Sequence, residues 1–183
     1  MMTRPVIEHI KSTLGEYVYG IDVECIEEAL IKLLEERKLS FSAAESCTGG
    51  RMAAGLIDNP GSSAVLTESF ITYADEAKMR ILGVRPATIQ RFSAVSEQCA
   101  REMAEGARKV SGATWGVSST GYAGPDGGSA GDPVGTVYIA VAGPEKTVAK
   151  RFFFNGNREW VRTLACTSGW NLLRMALSGT EEP

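Results

Sequence analysis

The densest grouping of reactive side chains and glycines in this sequence is Ala44-Glu45-Ser46-Cys47-Thr48-Gly49-Gly50, set between a strand and a helix. Ser46 or Cys47 could act as a nucleophile. Gly49 and Gly50 let the backbone approach a ligand closely. A helix start beyond them offers unpaired N–H groups and a partial positive charge, suited to a phosphate or a developing oxyanion. The same residues also suit a plain helix cap and a tight turn, so both readings stand at this point. The loop is not a P-loop, because GxxxxGK[ST] is absent. Cys47 at a helix start is a candidate reactive thiol. Without a histidine beside it, it reads more simply as a small buried filler.

What the chain lacks is as restrictive. His9 is its single histidine. A Ser-His-Asp triad, a Cys-His dyad or a histidine-rich zinc site therefore has nothing to be built from in the body of the chain. A hydrolase here needs another base, and Lys78 is the candidate. It closes the stretch Thr72-Tyr73-Ala74-Asp75-Glu76-Ala77-Lys78 at a strand-to-helix junction. A cation in a first helical turn is disfavoured by the helix dipole, which suits a base if the amine is also buried. An exposed lysine paired with Asp75 or Glu76 is the plainer alternative. A third stretch, Ser119 to Gly128 followed by Pro133-Val134-Gly135-Thr136, is rich in glycine and proline. Its length, after a buried strand, predicts a loop folded over a ligand rather than a free tip.

The elements that must hold these loops follow from periodicity and punctuation. Residues 1–21 read as an N-terminal extension with one short helix, and residues 22–183 as one domain. Asp22 is expected to cap a helix to about Lys38, with Cys25, Ile26, Ala29, Leu30, Leu33 and Leu34 on one face. Strands are expected over 39–44, 64–73, 114–120, 135–141 and to about Phe154. Helices are expected over 51–57, 75–82, 86–91, 97–110 and 157–177, with Gly83 as a left-handed C-cap and Ser96 as an N-cap. Alternating strands and helices predict a three-layer α/β/α sandwich. The late hairpin makes its sheet mixed. Trp115, Trp160 and Trp170 are read as core.

The formal net charge is −3 and no long basic run exists, so a nucleic-acid partner is not expected. No apolar run approaches the ~18 residues of a membrane span, and no signal segment is seen at the N-terminus. Cys25, Cys47, Cys99 and Cys166 are widely spaced and form no CxxC pair, which predicts reduced thiols and a cytoplasmic location.

Taken together, the loops resemble the CinA C-terminal domain family. The matching stretches are Ala44 to Gly50, Pro60-Gly61-Ser62-Ser63-Ala64, Thr72-Tyr73 with Glu76-Ala77-Lys78, Leu82-Gly83-Val84, Ala94-Val95-Ser96-Glu97, Met103 to Ala107, Thr120-Gly121 with Ala123-Gly124-Pro125 and Gly127-Gly128, and Pro133 to Val137. The resemblance covers about residues 30–177. It implies an α/β/α amidohydrolase that converts nicotinamide mononucleotide and water to nicotinic acid mononucleotide and ammonia, in pyridine nucleotide recycling. It also implies a homodimer, no metal and no cofactor. Ser46 and Lys78 match the family's catalytic pair, with Tyr73 placed to orient Lys78 or to donate to substrate. Substrate contacts are expected from Glu45, Cys47, Thr48, Gly49 and Gly50, from Thr120, Gly121, Ala123, Gly124, Gly127 and Gly128, and from Gly135, Thr136 and Arg158. Backbone N–H groups around Cys47 to Gly49 would hold the oxyanion. The glycine loop, Thr136 and Arg158 would hold the phosphate.

This chain has Ala74-Asp75 where the family usually has Ser-Asn, and Tyr122 where it has a small aliphatic residue. A carboxylate against Lys78 would oppose its use as a base. The second reading is thus a family member that binds a nucleotide without turning it over.

Overall fold

The computed structural model describes residues 4–179. Helix α1 (Arg4–Leu14) leads into a single 3-10 turn at Gly15–Tyr17, and no residue of α1 is buried. Helix α2 spans Ile26–Arg37. Its N-cap is Cys25; the expected cap, Asp22, instead sits at φ +54°, and no side chain caps this helix. Glu28 accepts the N–H of Glu24 at 2.8 Å, which satisfies a backbone donor just ahead of the helix.

Strand β1 (Phe41–Glu45) leads into helix α3 (Arg51–Ile57), the one-turn helix α4 (Ser62–Val65) and strand β2 (Leu66–Ile71). The extended run expected from residue 64 therefore begins with a helical turn, seeded by Gly61 at φ +91°. Helices α5 (Asp75–Leu82), α6 (Pro86–Phe92) and α7 (Glu97–Ser111) follow. Gly83 ends α5 at φ +72°, and Ser96 caps α7 by accepting from Cys99 N–H at 3.2 Å, both as expected. Strands β3 (Trp115–Gly121), β4 (Thr136–Ala142) and β5 (Thr147–Phe153) precede the long helix α8 (Arg158–Ser178).

The sheet order is β2-β1-β3-β4-β5. β1 pairs parallel with both β2 and β3, whereas β3–β4 and β4–β5 are antiparallel. The sheet is mixed, as the late hairpin predicts. The carboxyl ends of β1, β2, β3 and β5 therefore share one rim with the start of β4.

Helices cover both faces. α7 lies across the strands on one side with α5 and α6 packed on it; α8, α2 and α3 cover the other. The α8 side holds the larger core, including Leu30, Leu34, Phe41, Met52, Leu56, Ile139, Trp170 and Leu173, all buried. Trp170 meets Phe41 edge-on at 5.6 Å between ring centroids. On the other side Ala44, Leu82, Val84, Cys99, Met103 and Ala107 form a second cluster. There α7 approaches so closely that a Cβ at Gly116 would lie 2.1 Å from the Ala104 carbonyl oxygen. Trp160, read as core from the sequence, is 53% exposed at the start of α8.

Candidate active site

The rim described above carries the loops of Ser46 and Lys78 and the glycine-rich connection before β4. Ser46 directly follows β1, and its N–H donates to Ser119 of β3 at 3.0 Å. Its side chain is buried, and its hydroxyl has no hydrogen-bond partner among the described residues. Thr48 and Ser119 share a buried hydroxyl–hydroxyl bond of 2.7 Å, which ties the loop to β3. Gly49 (φ +60°) and Gly50 (φ +90°) turn the chain into α3.

Glu45 has a role that sequence reasoning missed. It is fully buried, and its carboxylate accepts N–H groups from Gly50 at 2.8 Å, Met52 at 3.1 Å and Ala53 at 3.0 Å, plus the Ser69 hydroxyl at 3.3 Å. A carboxylate at a helix N-terminus is favoured by the dipole and satisfies donors that would otherwise be orphaned. The expectation that this helix start is open to a phosphate or oxyanion is thereby corrected: Glu45 occupies it. The N–H groups of Thr48 and Gly49, one step outside, have no acceptor among the described residues.

Arg162 was also missed. From α8 its Nε donates to the Cys47 carbonyl at 3.0 Å and its Nη2 to the Thr48 carbonyl at 2.6 Å. With their carbonyls fixed from α8, the peptide planes of the loop are held in one orientation, and their N–H groups with them. Gly49 makes room for this, since a Cβ there would sit 3.1 Å from Arg162 Nη2. The signal was available: Arg158 and Arg162 are four apart on a helix and share a face. Arg158, proposed for phosphate, donates to the Gly124 carbonyl at 2.7 Å and so holds the glycine loop.

Lys78 is 1% exposed. Its Nζ donates to the Tyr73 carbonyl at 3.0 Å and lies 3.5 Å from Asp75 Oδ1, so of the plainer alternative the pairing with Asp75 holds and the exposure does not. Tyr73 thus contacts Lys78 through its backbone, while its ring is 64% exposed at the rim.

Cys47 is buried beside Ser46. Burial pushes its thiol up to about 11, only partly offset by bonding to Ser119 and its own N–H and by the nearby Arg162 charge. A thiolate nucleophile at neutral pH is therefore disfavoured.

The loop from Tyr122 to Gly135 is pinned at both ends. Tyr122 N–H donates to Thr136 O at 2.9 Å, and Gly135 N–H to Tyr122 O at 2.7 Å. Asp132 accepts from Tyr138 Oη at 2.9 Å and Arg151 Nε at 2.8 Å, and Arg151 also reaches the Gly131 carbonyl. Ala123, Gly124, Gly135 and Thr136 are buried, whereas Gly127 is exposed and Gly128 and Gly121 are half-buried. Thr120 donates to the Ala94 carbonyl at 2.7 Å, joining β3 to the segment before α7. Among the described residues no three His, Cys, Asp or Glu side chains are grouped to hold a metal ion. The four cysteines are free thiols. No helix among the described residues is long and apolar enough to cross a membrane.

The sequence profile of the CinA C-terminal domain matches residues 23–177. The chain belongs to the CinA C-terminal domain family. A competence-damage inducible relative in Clostridioides difficile is 45% identical over 183 residues, covering 96% of this chain and 44% of its own length. A CinA-like protein of Kosmotoga olearia is 42% identical, covering 96% and 43%. The chain thus spans less than half the length of these curated relatives. A solved CinA-superfamily structure from Klebsiella pneumoniae superposes with a TM-score of 0.81 at 35% identity, covering 84% of this chain and 96% of its own. A competence/damage inducible protein from Agrobacterium tumefaciens gives 0.80 at 37%, covering 87% and 99%. This CinA-type chain therefore shares its fold with relatives named for competence and damage induction.

Proposed function

We propose that this CinA-family chain is a Ser/Lys amidohydrolase that releases ammonia from the carboxamide of nicotinamide mononucleotide. The observation that supports the reading is that an unpartnered Ser46 hydroxyl, after β1, and a buried Lys78 amine, on the helix that follows β2, stand at the carboxyl rim of the same two parallel strands. In the proposed reaction Ser46 Oγ attacks the carboxamide carbon and its proton passes to Lys78. The N–H groups of Thr48 and Gly49, held in orientation by Arg162, bond the oxyanion. The C–N bond breaks as Lys78 returns the proton to the departing nitrogen, giving ammonia and a Ser46 ester. Water then hydrolyses the ester to nicotinic acid mononucleotide and restores the hydroxyl. The glycine loop and Thr136 border the same rim and would take the ribose phosphate.

The Lys78–Asp75 contact at 3.5 Å favours a second reading, a nucleotide-binding protein without turnover. Ammonia release from nicotinamide mononucleotide by the purified protein separates the two, with Ser46→Ala measured alongside and no metal added. Release that is lost in the variant supports the amidohydrolase. Binding of the mononucleotide without ammonia release favours the second reading.

A further inference from the structure

The glycine-rich connection between β3 and β4 leaves its strand beside the nucleophile loop. Ser46 N–H bonds the Ser119 carbonyl, and the connection departs shortly beyond, at Tyr122. Its two limbs meet backbone to backbone: a Cβ at Gly128 would lie 2.8 Å from Val134 N and 3.1 Å from the Asp132 carbonyl oxygen. The return limb folds on itself over 129–132. There Ser129 N–H donates to Asp132 O at 2.8 Å, and Asp132 N–H to Ser129 Oγ at 3.1 Å. Glycine loses more conformational freedom on ordering than any other residue. Bonds from outside the segment therefore matter to where it rests.

Such bonds come from the two last strands. Tyr138 of β4 and Arg151 of β5 are direct cross-strand partners, so their side chains leave the same face of the sheet. That face is the α7 side, where Tyr138 packs with Ala100, Ala104 and Ala140. Asp132 is held by this pair. Its Oδ1 accepts from Tyr138 Oη at 2.9 Å and from Arg151 Nε at 2.8 Å. Arg151 Nη2 donates to the Gly131 carbonyl at 2.9 Å and lies 3.5 Å from Thr136 Oγ1. One guanidinium fork thus grips a side chain and the main chain of the return limb at once. The Asp132 side chain is 23% exposed and that of Arg151 43%, so water partly screens the pair. A grip of that size sets where a loop rests, and is too weak to decide whether the domain folds.

We propose that Asp132 is a positioning residue, whose bonds to Tyr138 and Arg151 keep the connection laid over the rim and so set the affinity for the phosphate-bearing end of the ligand. The inference rests on the reading above, in which the glycine loop and Thr136 take the ribose phosphate. The partners of Asp132 are Tyr138 and Arg151, and those of Lys78 are Tyr73 and Asp75, so the latch stands apart from the bond-breaking groups. It acts on the fraction of molecules ready to bind. An apparent dissociation constant rises in inverse proportion to that fraction. At saturation the ligand itself holds the connection, so the chemical step keeps its ordinary rate.

The test uses the full chain with Asp132→Asn and Tyr138→Phe. Hydrogen–deuterium exchange over residues 122–135 reads the connection, and steady-state ammonia release from nicotinamide mononucleotide reads the site. Asp132→Asn should speed exchange in that segment about 10-fold, with α8 unchanged. It should raise KM about 10-fold, the order expected for losing a charge-assisted hydrogen bond in a half-exposed place, and leave kcat within about 3-fold. Tyr138→Phe keeps the ring against α7 and should give a smaller rise in KM of the same kind. Unchanged exchange in Asp132→Asn overturns the proposal. So does faster exchange at unchanged KM, or a fall in kcat alone. If the wild type binds the mononucleotide without releasing ammonia, its dissociation constant by calorimetry replaces KM and the same 10-fold rise decides. If the wild type neither binds nor turns over the mononucleotide, the proposed substrate fails and the affinity role with it. Normal turnover with unchanged exchange sinks the latch alone.

Discussion

Arg162 donates to the carbonyl of Thr48 at 2.6 Å, so helix α8 holds the Ser46 loop from outside the sheet. Its second bond, to the Cys47 carbonyl, makes the grip two-pronged. A lysine would bring one point charge in place of this fork. A hydrogen bond from a charged group is worth roughly 1.5–3 kcal/mol, or about 10- to 100-fold in rate if it acts on the oxyanion donors. Arg162→Lys is expected to lower kcat by that factor with a smaller change in KM. Steady-state ammonia release checks this, and unchanged kcat would contradict a positioning role.

Glu45 should matter to stability first. Replacing its carboxylate by an amide in Glu45→Gln sets an NH₂ against backbone donors in a fully buried place. The expected loss is about 3 kcal/mol, in the range for breaking a buried charged network. Urea denaturation at pH 7 reads it as a lowered midpoint. A stability within ~0.5 kcal/mol of wild type would mean that α3 does not need this cap.

Lys78 and Asp75 should separate by variant. The Asp75 side chain is 45% exposed and its contact is long, so solvent screens the pair to about 1 kcal/mol or less. Asp75→Asn is therefore expected to change the ammonia-release rate by less than about 5-fold. Lys78→Met should reduce it at least about 100-fold while circular dichroism stays native-like. A large gain in Asp75→Asn would instead mark the carboxylate as a brake on this site.

Cys47 is expected to be a bystander. With its thiol pushed up to about 11 from an ordinary 9.0, it is protonated at neutral pH. Iodoacetamide at pH 7.5 should leave activity intact, and Cys47→Ala should keep it within a few-fold. The sign also reaches stability. The thiol ionises in the unfolded chain near 9.0 but in the folded one only near 11, so this group's support is full below 9 and erodes as pH rises toward 11. Inactivation by alkylation with adduct mass on Cys47 would reopen the cysteine reading.

The layers, the mixed sheet and the loops carrying Ser46 and Lys78 were legible because they rest on local signals. Ser96 caps α7 and Gly83 ends α5 through neighbours within a turn. What escaped depends on distance along the chain. Arg162 reaches Thr48 across 114 residues, and Glu45 is bonded by Ser69 from the next strand. Asp22 looked like a cap by type, yet its positive φ places it in a turn before Cys25. Trp160 looked like core by type, but it lies on the first, solvent-facing turn of α8.

β4 is the one strand that runs against the other four, and it changes what the fold can vary. Its reversal brings the Tyr122–Gly135 crossover to the edge where Ser46 and Lys78 stand. The loop's ends are pinned at Tyr122 and Gly135, while its tip near Asp126 and Gly127 is exposed. Residues could be gained or lost at that tip without moving a strand. The connection can therefore change length over the rim while Ser46 and Lys78 stay where they are.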